Sequence, residues 1–164
     1  MAEEDKVTLT QGEVMLARTL AAFRTGMNRI TNVKQPVKFG KRDDFENDLI
    51  GICGEIALAK RLNVYLDLSF NPRSGGSDLK FPDGSTVDVK TTELNRGQLV
   101  VPLYKQKNPS EYYALVTGVL PTSNLTPVFH VRGYASAEEV FSSTKDLGYG
   151  PCFALPQEEL RAFQ

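Results

Sequence analysis

Tryptophan is absent from this 164-residue chain, histidine occurs once, at His130, and cysteine twice, at Cys53 and Cys152. Two cysteines far apart in sequence make no disulfide framework, and with a single histidine they cannot supply a four-ligand zinc site. No apolar run approaches the ~20 residues of a membrane span, and Glu3, Glu4 and Asp5 make the amino terminus acidic where a signal peptide is basic. These absences point to a cytoplasmic protein without a membrane partner. Phosphate loops of the Gly-x-x-x-x-Gly-Lys and Gly-x-Gly-x-x-Gly kinds are missing, as is Gly-x-Ser-x-Gly. A nucleotide cofactor and a serine-hydrolase mechanism therefore lose their signatures.

Charge of one sign is also lacking: 19 Lys and Arg stand against 20 Asp and Glu. A formal charge of −1 does not suggest a general polyanion binder, but the distribution is uneven. Lys34, Lys38, Lys41 and Arg42 form one basic segment, and Lys90, Arg96, Lys105 and Lys107 with Glu93 form another, leaving the remainder at −8. Two basic segments on an acidic body suit either a phosphate backbone or plain solvated loops.

What is present is enough apolar residue, 41% of the chain, for one core without staples, and no linker or repeat divides it. The chain reads as a single domain: a helical segment over 10–31, a core over about 43–134 and an extension over 135–164. Thr10 and Glu13 form a capping box ahead of Leu16, Leu20, Phe23, Met27 and Ile30, whose spacing of four and three predicts the core stripe of a first helix. Asp43 and Glu46 open a second helix, running to about Leu62. Glu55 sits in it beside Gly51 and Gly54, each unfavourable by about 1 kcal/mol in a helix interior relative to Ala, which predicts a close approach to a sheet.

The period then changes to two, predicting strands over 64–68, 77–81, 86–92, 98–104, 112–120 and 128–134. Ser136 to Glu139 opens a short helix, 152–155 is a further strand, and Pro156 starts a terminal helix. The expected class is α/β or α+β, with a central mixed sheet of about five strands flanked by helices. His130, Tyr112, Tyr113 and Phe129 read as structural residues of strands, and Gln98 as an edge residue. Ser74 to Ser77 reads as an entrance to a site or a simple turn.

Phe81, Pro82, Asp83, Gly84 and Ser85 have the sequence of a three-residue hairpin loop, with Gly84 in the left-handed position. Pairing Phe81 with Ser85 sets Asp78 opposite Asp88 and sends Thr86, Asp88 and Lys90 to one face, with Leu79, Phe81, Val87 and Val89 on the other. Facing carboxylates repel unless a cation lies between them or water reaches both. A hard divalent ion, Mg²⁺ or Mn²⁺, suits such oxygen ligands.

With Glu55 on a glycine-flanked helix, Asp78 after Gly76, and Asp88, Val89 and Lys90 on a β-branched strand, the region from Asp43 to Leu120 resembles the PD-(D/E)xK phosphodiesterase superfamily. The resemblance implies a restriction-endonuclease-like core and a metal-dependent nuclease acting on DNA through an ion-activated water. By position, Asp78 and Asp88 stand for the two acids, Lys90 for the lysine, and Glu55 for the helix carboxylate. The ligands of the ion are then Asp78, Asp88, Glu55 and the Val89 carbonyl. Ser77 replaces the name-giving proline. Arg96, Lys105 and Lys107, then Lys41 and Arg42, are candidates for holding a DNA backbone, and weak net charge leaves room for a homodimer or a larger complex.

An acid two residues before Lys also occurs at Glu4 and Lys6, in a stretch expected to fray, and at Asp78 and Lys80. A rival register takes Asp67 as first acid with Asp78 and Lys80, but leaves Asp88 without a role. The alternative function is a binding domain of the same fold that does not cut. A purely structural hairpin requires both aspartates to be exposed and far from Glu55.

Overall fold

Three capping boxes start three helices in the computed structural model, which describes residues 5–31, 42–68, 76–123 and 126–164. Helix α1, Gln11–Ile30, begins at Thr10, whose hydroxyl accepts the Glu13 N–H while Glu13 accepts the Thr10 N–H. Asp43 and Glu46 do the same for α2, Asp44–Leu62, and Ser136 and Glu139 for α3, Ala137–Phe141. Each box satisfies amide donors that a helix start leaves unpaired. Left-handed Asn63 ends α2.

The strands are β1 (Lys6–Thr8), β2 (Leu79–Lys80), β3 (Thr86–Thr92), β4 (Leu99–Pro102), β5 (Tyr112–Gly118), β6 (Val128–Ser136), β7 (Thr144–Asp146) and β8 (Pro151–Leu155). A mixed five-stranded sheet runs β1-β6-β5-β3-β2, with β3 and β5 parallel and the other neighbours antiparallel. A second antiparallel sheet runs β4-β8-β7. Val87, Val89, Ala114 and Val116 pack with α1 and α2 in one apolar cluster. Tyr113, Leu115 and Ala135 pack with Leu99, Val101, Phe153 and Leu155 in another. The central strand β5 is thus covered on both faces, which accounts for its nearly continuous apolar sequence. The fold is mixed α/β, and among the described residues no helix is long and apolar enough to cross a membrane.

Several expectations fail for physical reasons. The large apolar stripe of α1 is only partly its core face: Leu20 packs against the core, but Leu16 is 41%, Phe23 48% and Ile30 78% exposed, and Val14, Ala17, Ala21 and Thr25 are the buried residues. These smaller residues share a face by the same three-and-four spacing, and Thr25 Oγ1 donates to Asp48 Oδ2 of α2 at 2.7 Å. The helix–helix contact selects compact side chains over bulky ones.

Residues 64–68 form no strand. Val64 and Leu66 pack on the core while Tyr65 faces outward, so alternation over 64–66 records burial without sheet pairing, and Leu68 breaks it by facing outward. The strand expected over 98–104 shortens to β4 and turns into a 3-10 helix, Leu103–Lys107. Pro156 opens only a 3-10 turn, Gln157–Glu159. The chain then bridges to β6, where Tyr134 and Arg161 exchange N–H···O bonds of 2.9 and 2.8 Å. The stretch expected to fray holds β1, with Val7 buried and Lys6 paired to His130. Three-residue strands such as β1 and β7 are too short to show a period.

The two glycines of α2 differ. A Cβ on Gly54 would lie 1.9 Å from Thr91 Oγ1 of β3, whereas one on Gly51 would meet nothing within 4 Å. Close approach explains Gly54, and nothing among the described residues explains Gly51. Gly51→Ala is therefore expected to stabilise by up to about 1 kcal/mol through helix propensity, and Gly54→Ala to destabilise by about 1–3 kcal/mol through overpacking. Thermal unfolding of both variants, and of Gly54→Ala combined with Thr91→Ala, checks this. The combination is expected to recover part of the loss.

Candidate active site

The hairpin loop forms as its residues dictate. Phe81 N–H donates to Ser85 O and Gly84 N–H to Phe81 O, each at 2.9 Å, with Gly84 at φ 89°. Asp83 Oδ1 accepts the Ser85 N–H at 2.9 Å, fastening the turn. Leu79 consequently pairs with Val87 and Lys80 with Thr86, the register read from the loop. β2 begins at Leu79, so Asp78 stands just before it. Its N–H donates to Val87 O at 2.9 Å, and its Oδ2 accepts the Val89 N–H at 2.7 Å. The Asp78 carboxylate thus folds onto β3 beside Asp88.

Leu79, Val87 and Val89 face α2, as the alternation requires, with Phe81 packed at the edge of the same cluster. Asp88 and Lys90 turn to the opposite face, which is not the open polar surface that the sequence suggests. Asp88 is 1% exposed and ion-paired to both Lys90 and Lys105. Lys105 comes from the 3-10 helix that follows β4, placed over this face by the second sheet. Glu55, 5% exposed on α2, is held by Arg24 of α1 through a two-point contact, Nη1–Oε1 3.0 Å and Nη2–Oε2 3.3 Å.

The charges shift one another strongly. Burial raises Asp78, the Glu55 and Asp88 carboxylates raise it further, and it lies well above the ordinary Asp value despite Lys90 and the Val89 N–H. Burial acts the same way on Asp88, but Lys90 and Lys105 outweigh it and hold that carboxyl below its ordinary value. Burial would lower Lys90 and Arg24. Asp88 and Asp78 overcome this at Lys90, Glu55 chiefly at Arg24, and both remain above their usual range. Asp78 is thus the electrostatic link between the Glu55 pair on one side of the strand and the Asp88 cluster on the other.

Among the described residues, no three acidic, histidine or cysteine side chains converge on a preformed metal position. Glu55 is turned toward Arg24 and Asp88 toward its lysines. The donor set itself fits a hard divalent ion: three carboxylates from neighbouring elements, with no ion pair at Asp78 among the described residues.

Other expected positions separate clearly. Arg96 and Lys107 are exposed, and Arg42 makes a 3.5 Å ion pair with Glu93. Lys105 departs from expectation by pointing into the cluster, away from solvent. Lys34, Lys38, Lys41, Ser74 and Gly75 lie outside the described residues. Lys80 is exposed at the turn and Asp67 is exposed after α2, so the rival register places its lysine and first acid on the surface. The structural-hairpin reading also loses its requirement, since Asp88 is buried and Glu55 acts on Asp78.

Gln98 is partly buried, with its Oε1 lacking a hydrogen-bond partner among the described residues, so it is not a simple edge residue. His130 lies on β6, two strands from β3, and its Nδ1 is buried without a hydrogen-bond partner among the described residues. Tyr113 and Phe129 are buried packing residues, as expected. Both cysteines are free, and burial pushes the Cys53 thiol up to about 12. Cys53 is therefore expected to resist a thiol-exchange reagent at pH 8 until the protein unfolds, which a colour assay with and without denaturant checks.

The sequence contains no spacing that announces Arg24, 31 residues before Glu55. For Lys105, only its place in a basic segment gave a signal. The family model described as "Family of unknown function (DUF5843)" matches residues 5–149. No curated protein matches the chain.

Proposed function

We propose that this chain, which belongs to the DUF5843 family, is a metal-dependent nuclease with a restriction-endonuclease-like core that hydrolyses phosphodiester bonds in DNA. The observation that carries the reading is the gathering of Asp78, Asp88 and Lys90 by one hairpin, with Glu55 acting on Asp78 from the helix behind it. A half-buried acid whose neighbours destabilise its charge costs stability, and such acids concentrate where chemistry needs them.

Asp78, Asp88 and Glu55, with the Val89 carbonyl, would hold Mg²⁺ or Mn²⁺. When bound, such an ion lowers the pKa of water and offsets charge developing at phosphorus. Lys90, anchored on Asp88 and kept protonated by it, aligns the attacking water or stabilises the phosphorane-like charge. Val89 N–H fixes the Asp78 carboxylate in place. Arg96 and Lys107, both exposed, would meet a DNA backbone without needing to read sequence.

A second reading has one observation in its favour: Arg24, Lys90 and Lys105 already neutralise the acids, as they would in a non-catalytic binding domain. The two readings separate on incubation of the purified full chain with supercoiled plasmid, linear duplex and single-stranded DNA in Mg²⁺, Mn²⁺ or EDTA. The nuclease reading expects ion-dependent cutting of at least one form, and its loss in Lys90→Met by about two to three orders of magnitude. DNA retention without cutting by any ion supports the binding domain.

A further inference from the structure

Arg24 and Lys105 have no step in the chemistry above, yet they occupy two of the carboxylates it needs. The Arg24 guanidinium spans both oxygens of Glu55, and Lys105 shares Asp88 with Lys90. Three carboxylates therefore face three cations, and the cluster is formally neutral. A divalent ion gains little from carboxylates that are already paired, so its entry requires that a cation be released. A released cation in this largely buried site needs another anion, and the anion that a nuclease brings in is the phosphodiester.

The three cations are not equivalent. Lys90 lies two residues from Asp88 on the same face of the same strand, and stays beside it by covalent geometry. Lys105 is carried by a separate 3-10 helix and Arg24 by α1, with a third of its side chain exposed. A guanidinium that binds a carboxylate at two points presents the same fork to phosphate oxygens. We propose that Arg24 and Lys105 are the phosphate-holding residues of the site, stored on Glu55 and Asp88 and passed to the phosphodiester when the carboxylates take a divalent ion. This inference rests on the nuclease reading. It makes the ion and the phosphodiester mutually dependent ligands, each tightening the other by the same factor.

The test is Mn²⁺ affinity of the full chain, read from the free-ion signal in electron paramagnetic resonance, with and without excess dimethyl phosphate. Lys105→Met and Arg24→Gln each remove one stored cation and are expected to bind Mn²⁺ at least tenfold more tightly than wild type without phosphate. Dimethyl phosphate is expected to tighten Mn²⁺ in wild type and to do so less in both variants. Lys145→Met, on exposed β7, is the control for net charge, and Lys105→Gln replaces Lys105→Met if circular dichroism shows that the latter does not fold. Unchanged or weaker Mn²⁺ binding in both variants, beside a wild type that binds Mn²⁺ and cuts DNA, overturns this inference alone. Absence of Mn²⁺ binding in every protein, with phosphate present, overturns it together with the nuclease reading.

Discussion

Asp78→Asn is expected to melt at a higher temperature than wild type at pH 7 in EDTA, and to cut no DNA. The Asp78 carboxyl is raised by burial and by Glu55 and Asp88, so its charged form opposes folding. A carboxyl whose folded pKa exceeds its unfolded one favours the fold when protonated, and that contribution is lost as pH rises through the folded value. Asparagine removes the charge and keeps an oxygen for the Val89 N–H. The advantage should disappear below the ordinary carboxylate range, where Asp78 is protonated in both states. Gain of stability with loss of activity is the signature of a residue retained for chemistry. A destabilised Asp78→Asn at neutral pH would mean that the aspartate is structural.

Asp88→Asn carries the opposite sign. Asp88 is almost fully buried between Lys90 and Lys105, and removing its charge leaves two ammonium groups without their counter-ion. Breaking a buried pair from one side costs about 3–5 kcal/mol. Both lysines retain some exposure, 25% and 11% of their side chains, which places the cost near the lower end. A melting temperature lower by on the order of 10 °C follows for a chain of this size. Because Asp88 is held below its ordinary value, its stabilising contribution is present above the unfolded carboxylate pKa and lost as pH falls through the folded one. The deficit of Asp88→Asn should therefore be greatest near neutrality and shrink in acid. Adding Lys105→Met should restore part of the stability and none of the cutting. Thermal melts of the single and double variants across pH check both signs in one series.

The contrast between these aspartates follows from features that were unequally legible in the sequence. Helix starts were readable because Thr10 with Glu13, Asp43 with Glu46 and Ser136 with Glu139 act within four residues. The hairpin register was readable because Pro82, Asp83 and Gly84 restrict the backbone locally, and it placed Asp78, Asp88 and Lys90 in one neighbourhood. The covering of that neighbourhood was not readable. Lys105 reaches Asp88 only because β4 pairs with β8 in a second sheet, and Arg24 reaches Glu55 only because α1 packs through small residues. Leu16, Phe23 and Ile30 gave the stronger apolar signal on α1, but size decided the contact. Alternation described burial over 64–66, failed at exposed Leu68, and could not report that no strand lies alongside.

Cutting of supercoiled plasmid by the full chain in Mn²⁺ tests the nuclease claim most directly, with EDTA, Lys90→Met and Lys80→Met in parallel. The two lysines each follow an aspartate by two positions, yet one is tied to Asp88 and the other is exposed at the turn. The expected result is nicking that requires Mn²⁺, survives Lys80→Met and is lost in Lys90→Met. Folded wild-type protein that leaves plasmid, linear duplex and single-stranded DNA intact and binds no Mn²⁺ would contradict it.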